Sequence, residues 1–412
     1  MSVRRLRAPR GTFDVLPEQG RRRLRLERLA EETLGRAGYG YFESPLFEDT
    51  ELFARGVGEA TDIVRKEMFT FEDKGGRSLT LRPENTAGVC RAYVEHGMHK
   101  LPQPVKLWYW GAFFRHEAPQ AGRYRQFTQV GAEALGSDDP SLDAELVLLL
   151  AELLRRAGLP EPRLRIASLG SPETRLEYTQ ELRTYLRAHE PELSEEVRVR
   201  LDANPLRAFD SEHPGTLAVT AAAPKLLDRL TPEDAEHFGE VRALLDDAGQ
   251  PYVVDPTLVR GLDYYTRTVF EFEGERLGAQ RGVGGGGRYD RLVAQLGGPA
   301  TPGVGWAAGI ERILLAAEPG ADGALAAPVF VALAKPERSR EAFRLLRELR
   351  GAGVRAEMEQ AGRSLRGQLR HADRMGARAV AIVGDGIEVK DMASGEQRPV
   401  SGIAEAIRAV SG

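Results

Sequence analysis

The side chains that can do chemistry in this chain gather at four places, and no Ser-His or Cys-His pair among them offers a nucleophile with its base. The run from Trp108 to Gly136, WYWGAFFRHEAPQAGRYRQFTQVGAEALG, carries the densest set. Residues 106–114 are aromatic and apolar, a strand pattern that ends at Arg115; a loop with Pro and Gly follows over 116–123, and a second strand starts near Tyr124. Side chains alternate along a strand, so Phe127, Gln129, Gly131 and Glu133 share one face while Gln126, Thr128, Val130 and Ala132 share the other. The first face offers a ring, an amide, a bare backbone patch and a carboxylate. With Arg115 beside it, such a floor can stack a planar ring, neutralise a phosphate and read a polar small molecule; the plain alternative is a hairpin with one solvated face.

Glu84 and Thr86 stand at the end of a strand in Arg82-Pro83-Glu84-Asn85-Thr86, where a carboxylate and a hydroxyl can hold an ammonium group or simply cap the helix expected over 87–96. In 258–272, LVRGLDYYTRTVFEF, Arg260 precedes Gly261, which lets backbone approach a ligand closely. Tyr264 and Tyr265 take opposite faces if this segment is a strand, one facing the core and one presenting its hydroxyl. An unmatched surface arginine is the alternative for Arg260, though one placed in an unusually apolar segment. Arg312 falls early in the helix expected over 307–317, near its positive end, where anions are favoured.

These groups need scaffolding. An amphipathic helix over 18–37, with Leu24, Leu26, Leu29 and Leu34, stops at Gly38, and a strand-like segment ends at Pro45. Residues 68–71 and 78–81 flank a turn and predict a hairpin. A long apolar helix spans 141–157 and closes at Gly158. Residues 172–250 read as a charged helical module interrupted by Pro191, Pro205, Pro214, Pro224 and Pro232. The run Gly282–Gly287 satisfies G-x-G-x-x-G, yet no buried parallel strand precedes it and no acidic residue lies about 20 positions on, so a dinucleotide site is rejected. Its glycines read instead as a floor for close ligand approach, with Arg288-Tyr289-Asp290 opening a helix. Residues 319–327 are a linker by composition, and strand and helix alternate from Pro328 onward, ending in a hairpin. The expected divisions are 1–171 and 251–318 for a core split by the helical module 172–250, then a small α/β domain over 328–412.

Composition bounds the function. At 412 residues, 42% hydrophobic and 29% charged, the chain has the make-up of a globular protein of two or three domains. A net charge of -4 gives no global positive field for a polyanion. The last domain, 328–412, is locally basic, with 15 Lys and Arg against 11 Asp and Glu. A single Cys90 allows no intrachain disulfide, and no Cys-x-x-Cys pattern points to structural zinc. The basic start is followed by no apolar leader, and no run of 18 apolar residues occurs, so a cytoplasmic protein without membrane contact is expected.

FRHEAPQAGRYRQFTQVGAE resembles the second signature motif of class II aminoacyl-tRNA synthetases in the form used by histidyl-tRNA synthetases. RGTFDVLPE near the start, TLRPENTA at 80–87, LVRGLDYYTRTVFEF and GVGWAAGIERIL at 303–314 resemble the same family in the same order. The resemblance implies an α+β fold: a class II antiparallel sheet flanked by helices, a helical insertion that approaches the tRNA acceptor arm, and a C-terminal α/β anticodon-binding domain. The segment ending at Pro45 resembles the first signature, which implies a homodimer.

The implied activity joins L-histidine to tRNA(His) in two steps: histidine and ATP, with Mg²⁺ accompanying the ATP, give histidyl-adenylate and pyrophosphate, and histidine then moves to the 3′ end of the tRNA. No permanent cofactor or protein-held metal is implied. By the same resemblance Glu84 and Thr86 bind the α-amino group, and Gln129, Tyr264 and Tyr289 line the histidine pocket, with Glu133 and Tyr265 on the imidazole nitrogens. Arg260 lies between the substrate carboxylate and the α-phosphate, Arg115 is also on the α-phosphate, Arg312 is on the γ-phosphate, Phe127 stacks on adenine, and Glu117 lies near ATP. Gln120 and Arg123 are candidate contacts to the acceptor end. Asn85, Ala118 and Thr128 depart from the family's common Gly, Arg and His, and Ala118 puts detailed contacts to the terminal nucleotides in question. A regulatory subunit of histidine biosynthesis with the same fold is the alternative; the arginines and the last domain stand against it. A kinase-linked RNA sensor lacks its kinase segment here.

Overall fold

A computed structural model describes residues 6–58, 61, 63–202, 204–258, 262–278, 281–318 and 326–411. Two compact units result, one from the residues up to 318 and one from 326 onward. Arg260 and most of the expected linker, 319–325, lie outside the described residues.

The first unit is organised on an eight-stranded sheet. Its strands run Gly40–Tyr41, Val105–Phe114, Gln126–Leu135, Gly303–Gly309, Gly282–Arg288, Thr266–Glu273, Arg163–Ser168 and Val253–Val254 across the sheet. The outermost pairing at each edge is parallel and all inner pairings are antiparallel. The central hairpin, Val105–Phe114 with Gln126–Leu135, starts its second strand two residues later than the sequence predicts. Val130, Ala132 and Ala134 point to one face, where helices Pro17–Arg36, Pro140–Arg156, Pro232–Asp247 and Ile310–Ala316 bury Leu34, Leu150, Val241 and Ile313 against them. Fully burying such aliphatic side chains contributes about 1.5–3 kcal/mol each. In the first helix Leu26 and Leu34 are buried, whereas Leu24 faces water. The opposite face holds a second cluster with Tyr109, Phe113, Tyr264 and Tyr289, covered by helix Thr86–Glu95 and by Tyr178, Leu182 and Leu186 of helix Pro172–Ala188.

A small sheet, Phe47–Asp49, Ser78–Leu81 and Phe69–Glu72, includes the expected hairpin. Between 172 and 250 the structure is helical, and Pro172, Pro214 and Pro232 begin helices instead of breaking them. The physical reason is that the first turn needs no proline N–H and its φ is already helical.

The glycine run forms a strand: Gly282–Arg288 lies between Gly303–Gly309 and Thr266–Glu273. A Cβ at Gly286 would collide with the Gly305 carbonyl, and one at Gly287 would sit 2.5 Å from the Thr268 carbonyl oxygen. At these two positions the missing side chains admit neighbouring backbone. Arg288 ends this strand rather than opening a helix. It is fully buried and pairs with fully buried Asp143 of helix Pro140–Arg156 at 2.6 Å, while also donating to the Ser137 and Asp139 carbonyls at 3.1 and 3.0 Å. Burial raises the Asp143 pKa and Arg288 opposes that rise.

The second unit has a five-stranded sheet in the order Ala356–Met358, Val329–Leu333, Ala379–Val383, Ile387–Asp391, Gln397–Val400, its first three strands parallel and the last two antiparallel. Apolar residues fill both faces, Val331 with Leu345 and Val410 in one cluster and Phe330 with Ala372 in the other. This is the α/β arrangement expected from the alternating pattern. Among the described residues no helix is long and apolar enough to cross a membrane.

Candidate active site

The hairpin register places Phe113 opposite Phe127, Gly111 opposite Gln129, Tyr109 opposite Gly131 and Leu107 opposite Glu133. Directly paired residues share a face, so Tyr109 comes up beside Gly131. A Cβ at Gly131 would collide with the Tyr109 phenol. The bare backbone patch expected at Gly131 is thus occupied by that ring. Glu133 is wholly buried and accepts hydrogen bonds from Tyr289 Oη at 2.7 Å, Thr86 Oγ1 at 2.8 Å and Tyr109 Oη at 3.3 Å. Burial pushes its pKa up to about 8; the hydroxyls of Tyr289 and Thr86 lower it and neighbouring Glu84 raises it. Gly303 and Gly305 provide the space, because a Cβ at either would collide with the Tyr289 ring or the Glu133 carboxylate respectively.

Glu84 is a buried carboxylate that caps the helix following it. Its oxygens accept from the backbone N–H of Thr86 at 2.8 Å and Ala87 at 3.0 Å, at the start of helix Thr86–Glu95, and the Tyr264 hydroxyl lies 3.4 Å from Oε2. Those N–H groups fix the carboxylate's direction while leaving lone pairs for a further donor. Burial raises its pKa and the two backbone bonds oppose the rise. Nearby on the hairpin, Gln129 Oε1 is buried and has no hydrogen-bond partner among the described residues. A buried, unsatisfied amide oxygen is costly, so this acceptor suits a donor brought by a ligand.

Tyr264 and Tyr265 do not take opposite faces. The strand begins only at Thr266, and the two rings lie 4.8 Å apart in one buried cluster with Tyr289. Strand parity therefore does not apply to them. Tyr264 packs 5.9 Å from the Tyr289 ring and reaches toward Glu84.

Cations border the hairpin's other end. Arg115 donates from Nε to the Pro83 carbonyl at 2.9 Å and its guanidinium lies 5.4 Å from the centre of the Phe127 ring. Glu117 stands 3.9 Å from Arg115 and 3.2 Å from Arg123, and Gln120 bridges to Arg123 through the backbone. The loop tip at Gly122, with φ +75°, approaches Arg312 and Leu315; an added Cβ would lie 3.5 Å from Arg312 Cγ. Arg312 donates to the Gly282 carbonyl at 2.5 Å, and burial, then Arg123, lower its pKa. Partial desolvation together with a cationic neighbour makes this a place where an anion gains more than in water. Thr128 faces the other way, as parity predicts: its hydroxyl accepts from Arg23 at 2.9 Å, behind the sheet.

One floor of the sheet therefore joins a buried polar pocket, a ring and a set of arginines. A family model described as histidyl-tRNA synthetase matches residues 11–313 of this chain. The chain belongs to the histidyl-tRNA synthetase family. A second model, described as an anticodon binding domain, matches residues 328–411. Similar proteins named histidine–tRNA ligase include one from Rubrobacter xylanophilus, 48% identical with all of both chains covered, and one from Saccharopolyspora erythraea, 48% identical over 98% of this chain and 97% of the relative. Among solved structures, apo histidyl-tRNA synthetase from S. aureus covers 98% of this chain and 99% of its own at 35% identity, with a TM-score of 0.81. A Bacillus halodurans structure titled as an ATP phosphoribosyltransferase regulatory subunit/histidyl-tRNA synthetase covers 87% of this chain and 93% of its own at 25% identity and TM-score 0.64.

Of the residues expected to form a synthetase site, the structure groups Glu84, Thr86, Glu133, Tyr264 and Tyr289 in hydrogen-bonded or ring contact, and links Arg115, Glu117 and Arg123 through ion pairs. Tyr109 escapes the sequence reading although it touches Glu133. Its signal is the register: once Phe113 pairs with Phe127, Tyr109 must oppose Gly131. Arg82 is a second omission. It is buried, lies 4.5 Å from the Phe113 ring centre, and donates to the carbonyls of Ala112 and Ser44 at 2.9 and 2.8 Å, in the space that Gly111 leaves. No local pattern marks it, because its partners come from two distant segments.

Proposed function

We propose that this chain is a histidine–tRNA ligase that forms histidyl-adenylate from L-histidine and ATP, releases pyrophosphate, and then passes the histidyl group to the 3′ end of tRNA(His) with release of AMP. The observation that carries this reading is the buried Glu133, ringed by three hydroxyls, on the same sheet face as Phe127 and Arg115. Imidazole, with a polar atom on each side of a flat ring, satisfies such a site, whereas an apolar amino acid leaves buried polar groups unpaired.

In this reading Glu84 and Thr86, with the orphan Gln129 oxygen, take the substrate ammonium group. Glu133 and Tyr265 read the imidazole, and Tyr264 and Tyr289 close the pocket around it. The substrate carboxylate attacks the α-phosphorus in line while the bond to pyrophosphate breaks, so no protein nucleophile is needed. Catalysis then rests on alignment and on cations placed where charge develops. Arg115 and Arg260 serve the α-phosphate and Arg312 the γ-phosphate; Phe127 stacks on adenine and Glu117 assists on the ATP side. Mg²⁺ enters with ATP as part of the substrate, bridging phosphate oxygens. Gln120 and Arg123 contact the acceptor end, the helical module 172–250 approaches the acceptor arm, and the unit from 328 onward takes the anticodon. Exposed Tyr41 on the edge strand of the large sheet, with exposed Leu46 and with Phe47 and Phe71 of the small sheet, supports a homodimer, and the chain is expected to work in the cytoplasm.

Histidine-dependent ATP–pyrophosphate exchange over a panel of amino acids, followed by charging of total tRNA, tests the proposal. Exchange with histidine alone and charging of one tRNA are expected. The similarity to a structure titled as a regulatory subunit gives the alternative a distinct outcome: histidine binding without exchange.

A further inference from the structure

Helix Pro172–Ala188 sends Arg175 across to the segment that precedes strand Thr266–Glu273. Arg175 Nη1 donates to the carbonyl oxygens of Asp263 at 2.9 Å and Tyr265 at 3.1 Å, bracketing Tyr264. Its nearest carboxylate, Asp263, is 3.8 Å from Nη2, beyond a hydrogen bond. The guanidinium is largely buried, and burial lowers its pKa with Asp263 opposing. A largely desolvated cation that hydrogen-bonds two carbonyls, with its ion-pair partner Asp263 kept at 3.8 Å, is a costly way to stabilise a fold but a rigid way to hold backbone.

The segment needs such a hold. Residues 262–265 belong to no strand, yet they carry the two tyrosines in ring contact, one of which reaches toward Glu84. On the far side the Asp263 N–H donates to the Val57 carbonyl at 3.3 Å, and Gly58, with φ +103°, leaves room for the Asp263 side chain. Downstream, Thr266 bonds Asp290 at 3.1 Å, and Arg267, at φ +43°, pairs with buried Asp234 at 3.0 Å. Such a backbone persists only where its surroundings over-determine it. The tyrosine segment is thus clamped, and Arg175 supplies the contact from the helical module.

We infer that Arg175 is a positioning residue for the amino-acid pocket: it holds the Asp263–Tyr265 backbone so that the Tyr264 and Tyr265 rings keep their place beside Glu84 and Tyr289. This rests on the histidine-activating reading and deepens it, because it makes part of the helical module a determinant of amino-acid selection.

Arg175→Met and Arg175→Lys are compared with wild type in ATP–pyrophosphate exchange, varying histidine and ATP separately, with melting curves alongside. The Met variant is expected to raise KM for histidine about tenfold or more, equivalent to about 1.4 kcal/mol or above, while KM for ATP moves less than about twofold. The Lys variant, able to reach one carbonyl but not fork over two, should fall between. A solvent-accessible cavity of about 260 Å³ borders Arg175, Asp263, Tyr264 and Tyr265, so added methylguanidinium is expected to restore part of the histidine affinity of the Met variant. Lower melting temperatures with unchanged KM for histidine would make Arg175 a fold residue only and overturn the inference. If the Met variant does not fold, the Lys variant decides by the same KM comparison. Wild-type protein without histidine-dependent exchange would remove the underlying reading and this inference with it; wild-type exchange beside unaltered Arg175 variants would remove this inference alone.

Discussion

Replacing Glu133 by Gln should stabilise the ligand-free protein in alkali while it damages histidine selection. The Glu133 carboxyl titrates at about 8 in the folded chain against a reference of 4.5, chiefly because burial penalises its charge. Between those pH values the folded state holds a proton that the unfolded state has lost. Its contribution is therefore fully present below about pH 4.5 and is lost as pH rises through about 8. At about 1.4 kcal/mol per pH unit, that interval corresponds to a cost of at most about 5 kcal/mol once Glu133 is ionised. Gln carries no charge at any pH. Its carbonyl can still accept from Thr86 and Tyr109, and its amide can donate to the Tyr289 oxygen, whose hydroxyl rotates. Loss of the charge also relieves Glu84, an effect of the same sign.

Calorimetric or urea unfolding of both proteins without ligand, at about pH 5 and about pH 9, measures the difference, in which titrations common to both cancel. Near parity is expected at the lower pH, and an advantage of about 2 kcal/mol or more for the Gln variant at the higher. In the exchange assay the same substitution should raise KM for histidine about tenfold to a hundredfold, because the amide keeps one acceptor oxygen, already held by Thr86 and Tyr109, where the carboxyl offers two. A stability difference that does not change with pH, or a Gln variant that is the less stable at about pH 9, would refute the account of Glu133 as a carboxylate whose charge the fold opposes.

Asp143→Asn should remove the closer of two counter-charges from the buried Arg288 guanidinium, leaving Asp290 at 3.4 Å, and lower unfolding free energy by about 3 kcal/mol, read by urea denaturation. Gly131→Ala should force the Tyr109 ring aside and crowd the Trp306 carbonyl, 2.7 Å from the added Cβ, at a cost of about 1–3 kcal/mol, and the double variant with Tyr109→Ala should recover only part of the histidine binding lost in Gly131→Ala. Arg312→Ala and Arg260→Ala should each keep the fold by circular dichroism and reduce adenylate formation about 10²–10³-fold; near-wild-type turnover would reject their phosphate roles.

Much of this protein is written locally. Periodicity alone marks the central hairpin, the helix Pro140–Arg156, the small-sheet hairpin and the change to alternating strand and helix after 328, because each is specified by neighbours within one element. Strand parity also separates the Glu133 face from the Thr128 face. What tertiary structure alone decides is what fills the space between elements. Tyr109 occupies the gap over Gly131 because register is set between strands, where a one-residue slip would reverse every face. Tyr264 and Tyr265 share a cluster because their segment precedes the strand to which a period-two reading assigns them. Arg288 finds Asp143 and Arg175 finds the Asp263–Tyr265 backbone across long stretches of chain, and neither segment's own pattern names its partner. Alternation and capping depend on residues a few positions apart, so the sequence displays them; close packing depends on volume shared by distant segments, which exists only once the chain has folded.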